Sequence, residues 1–147
     1  LPLSDFFTGK GESPFQLTSD EILTEIRLPL PWGPMSGSYQ RLSFRSAVDF
    51  PIINAAASAI RGNDKIESFR LVLSAAGPAP VILREAENLI KGSTPGPDVF
   101  PKVREIAIRT AEGIIVQNSS ASKDYRIKMA GVVASRATRE ALGLATP

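Results

Sequence analysis

The chain offers few residues able to do chemistry, and the two commonest kinds are absent. It has 147 residues with no histidine and no cysteine. That excludes Ser–His and Cys–His nucleophilic pairs, thiolate catalysis, cysteine-ligated zinc and iron–sulfur ligation by its own side chains. The carboxylates do not pair into an acid and a base. Asp20 and Glu21 are adjacent, so in an extended segment they point to opposite faces. Glu85 and Glu87 are two apart on an expected helix and face different ways. Arg45 and Asp49 suit an ion pair that orders a turn, because no nucleophile or base completes a site around them. Gly9-Lys10-Gly11 has neither the P-loop spacing nor GxGxxG, and a turn is the plainer reading. What remains is Tyr39 and Arg41. They share one face of an expected strand, so a ring and a charge could approach one side of a bound group together. Cross-strand packing and a surface arginine are the plainer readings of the two taken singly.

The stretch from Ser38 to Ala57 positions them. Tyr39, Arg41 and Ser43 alternate with Gln40, Leu42 and Phe44, a period of two that predicts a strand. Pro51 to Ile60 is apolar and then small, which predicts a buried strand with something packed close to its alanines. Upstream, Ile22, Thr24, Ile26 and Leu28 alternate with Leu23, Glu25 and Arg27, the pattern of a half-buried strand ended by Pro29, Pro31, Gly33 and Pro34. Trp32 in that loop is read as capping the edge of the core. Downstream, Arg61 to Asp64 is a hairpin turn, and Lys65 to Ala76 is a strand whose phase changes between Ile66 and Phe69, as a bulge would make it. The rest reads as helix. Leu83 to Lys91 stops at Gly92. Asp98 caps a second helix whose stripe is Val99, Val103, Ile106, Ala107, Thr110 and Ile114. Gln117 to Ser120 break it. Ser122 caps a third helix, running through Leu142, with the stripe Tyr125, Met129, Val132, Val133 and Ala137. Its basic residues Lys123, Arg126, Lys128, Arg136 and Arg139 read as a solvated face. Strands first and helices after predict an α+β fold: an antiparallel sheet of about four strands, followed by three helices packed on one face.

The composition is that of a globular chain, 43% hydrophobic and 22% charged. A net charge of +2 makes no case for nucleic acid. No apolar run is long enough to span a bilayer. The start, Leu-Pro-Leu-Ser-Asp, reads as a piece of a longer polypeptide.

Four patches in order carry a resemblance. They are Leu3 to Gly9 followed by Leu17 to Pro29, then Tyr39 to Phe50. Next comes Gly77-Pro78-Ala79-Pro80 with Glu87-Asn88-Leu89 and Lys91-Gly92. The last is Asp124-Tyr125-Arg126 followed by Arg136-Ala137. Together they resemble the C-terminal part of the FAD-binding subunit of molybdenum hydroxylases, the group of xanthine dehydrogenase, carbon monoxide dehydrogenase and 4-hydroxybenzoyl-CoA reductase. The resemblance implies that residues 1–34 are the tail end of an upstream FAD-binding domain and that residues 35–147 are the flavoprotein C-terminal domain. It implies FAD held mostly upstream, with Leu23 near the flavin and a polar contact at Gln40 or Arg41. It also implies partner subunits carrying molybdopterin and 2Fe-2S clusters, electrons passed to NAD or another acceptor, and a cytoplasmic oxidoreductase of which this piece alone is inactive. A non-enzymatic protein-interaction domain of the same fold, using Trp32 and its proline loop, is the alternative.

Overall fold

The computed structural model describes residues 1–119 and 121–144. A short helix α1 (Leu3–Phe6) is followed by strands β1 (Met35–Leu42), β2 (Ile53–Arg61), β3 (Ile66–Ser74) and β4 (Val81–Ile82), then helices α2 (Arg84–Ile90), α3 (Val99–Ile114) and α4 (Lys123–Ala141). The strands form one antiparallel sheet in the order β1-β2-β3-β4. The α+β fold expected from the sequence is therefore present, but its four strands are not the four expected. The meander begins at Met35, and β4 takes the place of the strand expected over residues 22–28.

The alternation of β1 and β2 decides how the layers meet. Ile53, Ala55, Ala57 and Ala59 are buried, while Ala56 between them is exposed. The buried alanines face α4, whose own buried residues are mostly small: Ala130, Gly131, Ala134, Ala137, Thr138 and Ala141, with Arg126 and Val133. Small residues on both sides let the helix lie close to the strand, so the alanine run does mark a close neighbour. Of the expected stripe, Val133 and Ala137 are buried. Tyr125 is exposed, and Met129 and Val132 are only half-buried, because the strand beneath favours small side chains. Leu71, Leu73, Val103 and Phe100 complete the core with α2 and α3.

The turn signals behave as their chemistry requires. The Gly62 N–H donates to the Lys65 carbonyl at the hairpin, and the register shifts after Ile60, which leaves Glu67 as the bulged residue. Gly92 ends α2 with φ +78°, where a Cβ would be strained. Ser122 accepts from the Tyr125 N–H and caps α4. Asp98 makes no capping bond and pairs with Lys102 at 3.2 Å instead. Residues Gln117 to Ser119 lie outside the helices as expected, and Ser120 lies outside the described residues.

Residues 22–28 form no strand. Ile22 is 83% exposed, Ile26 63% and Leu28 83%. An alternating pattern needs a neighbouring strand to satisfy its backbone, and among the described residues none lies beside it. Asp20 and Glu21 accordingly sit in a turn, where hydrogen bonds from Thr18 hold both carboxyls below their usual range. Trp32 is 67% exposed and does not cap the core.

Ala75, just after β3, holds φ +57° without being glycine. Left-handed backbone costs an alanine about 1–2 kcal/mol, and glycine loses about 0.5–1 kcal/mol more on ordering than alanine. Ala75→Gly is therefore expected to stabilise the domain by roughly 0.5 kcal/mol, read as a higher urea midpoint at unchanged slope. A lower midpoint would show that the conformation is not strained.

Candidate functional site

Helices cover one face of the sheet and leave the other open. On the open face the register sets Tyr39, Ala56 and Val72 in one row and Arg41, Asn54 and Ser74 in the next. Tyr39 is 60% exposed and stands beside small residues, so its ring is free on the flank facing Ala56. Arg41, on the same face, donates through Nη2 to the carbonyls of Ser46 and Ala47, 3.1 Å each. The expected pairing of ring and charge on one strand face is present. Gln40 is on the opposite face, half-buried toward the helices, and donates to Ser38 Oγ at 3.3 Å. Of the two residues expected to make a polar contact, only Arg41 faces the open side.

Arg41 also organises the loop between β1 and β2. The Ile52 N–H donates to the Leu42 carbonyl at 2.7 Å and closes its base. Within it the Arg45 N–H and guanidinium donate to Asp49 at 3.0 and 3.3 Å, which is the turn-ordering pair expected from the sequence. Desolvation raises the Asp49 carboxyl, but the hydrogen bonds and charge of Arg45 outweigh it and hold the group below its ordinary value. Phe44, Val48 and Phe50 on this loop are exposed.

Asn54 was not singled out by sequence. It is 7% exposed; its Nδ2 reaches Ser74 Oγ at 3.4 Å, and its Oδ1 has no partner. As a strand residue it must face opposite to Ile53 and Ala55, and that alternation is the signal that sets it on the open side. Leu23 lies apart from these residues, in a groove of about 730 Å³ lined by Phe6, Phe7, Phe15, Ile22 and Ile26 among others. Phe6 and Phe15 stack there with ring centroids 5.0 Å apart. Gly9-Lys10-Gly11 is a turn, closed by the Thr8 N–H on the Pro14 carbonyl.

The largest departure from the sequence reading is Arg126. It is 3% exposed, not part of a solvated face. Its guanidinium donates to the carbonyls of Ala75 at 2.6 Å, Val116 at 2.7 Å and Ile52 at 3.3 Å. Burial lowers its pKa, yet an arginine remains charged. A signal existed: Arg126 falls on the same helical face as Ala130, Ala134, Ala137 and Ala141. The other basic residues divide. Lys123, Lys128 and Arg136 are exposed, while Arg139 lies over the Phe100 ring at 4.2 Å.

Among the described residues no cluster of carboxylates suits a metal ion, and no helix is long and apolar enough to cross a membrane. With no histidine or cysteine in the chain, no imidazole or thiolate of its own stands beside Tyr39 and Arg41.

A family model described as the CO dehydrogenase flavoprotein C-terminal domain matches residues 38–141. Caffeine dehydrogenase subunit beta of Pseudomonas sp. (strain CBB1) is 28% identical over 141 residues, covering 96% of this chain and 46% of that protein. Among solved structures, the carbon monoxide dehydrogenase from Hydrogenophaga pseudoflava that lacks the Mo-pyranopterin moiety of its cofactor superposes with a TM-score of 0.84. It is 21% identical, over 95% of this chain and 47% of that one. Quinoline 2-oxidoreductase from Pseudomonas putida 86 gives a TM-score of 0.79 at 20% identity, over the same shares. At such identity the structural likeness speaks for the fold. The chain spans about half the length of these relatives.

Proposed function

Since the chain belongs to the family of CO dehydrogenase flavoprotein C-terminal domains, we propose that it is the C-terminal domain of an FAD-holding subunit in a molybdenum-dependent oxidoreductase complex. Residues 1–34 are the tail end of the upstream FAD-binding domain, and residues 35–147 are the C-terminal domain. The observation that carries this reading is Tyr39 beside Arg41 on the open face of β1, in a chain without histidine or cysteine. An aromatic ring left 60% exposed next to a guanidinium suits the flat, polar-edged body of a flavin. The exposed apolar residues of the N-terminal segment, Leu23 among them, suit the proposed continuation into an upstream domain.

In this reading Arg41 and Tyr39 hold one side of the cofactor, and Leu23 contributes apolar contact from the groove of residues 1–27. Gln40, turned to the helices, supports β1 and leaves the polar contact to Arg41. FAD itself supplies the electron chemistry, relaying electrons between 2Fe-2S clusters on one partner subunit and NAD or another acceptor, while a molybdopterin subunit meets the substrate. This chain's part is to bind, orient and cover the flavin in the cytoplasmic complex. The exposed Trp32 (67%) favours a second reading, an interaction domain of the same fold whose contact is Trp32 and its prolines.

An FAD titration followed by visible absorption separates the two. The chain alone is expected to stay colourless. A subunit that also carries the residues preceding Leu1 is expected to be yellow, and Arg41→Ala in it to weaken FAD about tenfold, the worth of one charge-assisted hydrogen bond. A longer subunit that takes up no FAD would remove the flavoprotein reading.

A further inference from the structure

Three connections of the fold end at one place. The loop from Ser43 to Pro51, the segment after β3 and the segment after α3 all meet at the end of the sheet where α4 begins. Arg126 in the first turn of α4 bonds one carbonyl of each: Ile52 just before β2, Ala75 just after β3 and Val116 just after α3. None of these three residues lies in a strand or helix. Among the described residues no carboxylate lies within ion-pair distance of Arg126.

A buried charge facing only neutral carbonyls is a costly way to fill space, and apolar side chains fill such sites as well or better. What a guanidinium adds is direction. Its donors form a rigid planar fork, so three acceptors are held at fixed angles to one another. One of them, Ile52, is the exit of the loop whose middle carbonyls, Ser46 and Ala47, are held by Arg41. The loop is thus tied from β1 by Arg41 and from α4 by Arg126.

We propose that Arg126 is the positioning residue of the flavin-facing side: it fixes the 43–51 loop from α4 and thereby sets where the Arg41 guanidinium stands. This rests on the reading of Arg41 as a flavin contact. Lysine at 126 keeps the charge but lacks the fork, so the loop should loosen while the core stays.

The test uses the flavoprotein subunit containing this chain and compares it with Arg126→Lys and, as a second variant with fewer donors and no charge, Arg126→Gln. Amide hydrogen exchange is followed over residues 43–52, with β3 (Ile66–Ser74) as the internal control, together with the rate of FAD release. At least one variant that keeps its β3 protection should show tenfold or faster exchange over 43–52 and tenfold or faster FAD release. Unchanged exchange over 43–52 with β3 protected overturns the proposal. A loosened loop with unchanged FAD release also overturns it, while the wild-type subunit's own FAD content leaves the flavoprotein reading standing. A fall in β3 protection as large as that over 43–52 in both variants overturns it too, since Arg126 would then hold the whole fold rather than this loop. A wild-type subunit that holds no FAD overturns the flavoprotein reading and this proposal with it.

Discussion

Arg126→Met is expected to lower the unfolding free energy of the domain by about 3 kcal/mol. Methionine has a similar length and fills the space, so the loss isolates the hydrogen bonds rather than a cavity. Three carbonyls lose their donor, and each orphaned buried acceptor costs about 1–3 kcal/mol. Two terms reduce the sum. The guanidinium no longer has to leave water, which recovers several kcal/mol of desolvation. Val116 is 69% exposed, so its carbonyl can turn to solvent. The carbonyl of buried Ile52 is the one left without recourse, and that of half-buried Ala75 has less access to water than Val116. Against a typical total of about 5–15 kcal/mol, the change is large and easily read by urea denaturation. A loss under about 1 kcal/mol would mean that water replaces the guanidinium at all three carbonyls.

Gly131→Val is expected to cost about 3 kcal/mol, for a different reason. Gly131 lies where α4 crosses α3. A Cβ there would stand 2.8 Å from Ile108 Cγ1, 2.9 Å from Arg104 Cγ and 3.0 Å from the Arg104 carbonyl oxygen. The two side-chain atoms can move, but the carbonyl belongs to the α3 backbone and cannot without shifting the helix. Alanine at this position recovers about 1 kcal/mol of helix propensity, which partly offsets the clash, so Gly131→Ala should lose only about 1 kcal/mol. Valine adds two methyl groups to the same crossing and regains little propensity. The ordering glycine, alanine, valine in melting temperature checks the account. If alanine proves more stable than glycine, the helices have room to separate and the close crossing is not essential.

Much of the fold was legible because its signals are local. The alternation from Tyr39 to Leu42, the hairpin at Gly62, the bulge near Glu67, the stop at Gly92 and the Ser122 cap each depend on a few neighbouring residues, and each is present. The pairing of Arg45 with Asp49 was legible for the same reason, being a contact four residues apart. The helix α4 follows the sequence pattern, and so does part of its buried face, Val133 and Ala137, but most of that face does not. Tyr125, Met129 and Val132 are large, while the docking surface is a strand of alanines that favours small side chains.

By itself, then, the sequence determined the α+β class, the helix stops, the shared face of Tyr39 and Arg41, and the family. Periodicity and turn chemistry carry the first three within a few residues of chain, and the family rests on the resemblance of four patches spread along it. Tertiary structure alone decided the rest. Residues 22–28 have the pattern of a strand and are none, because a strand exists only beside a partner. Arg126 has the charge of a surface residue and is buried, because the carbonyls that accept from it are 74, 51 and 10 residues away in sequence. The partners that make both outcomes are set by how distant segments meet, and no local pattern encodes that meeting.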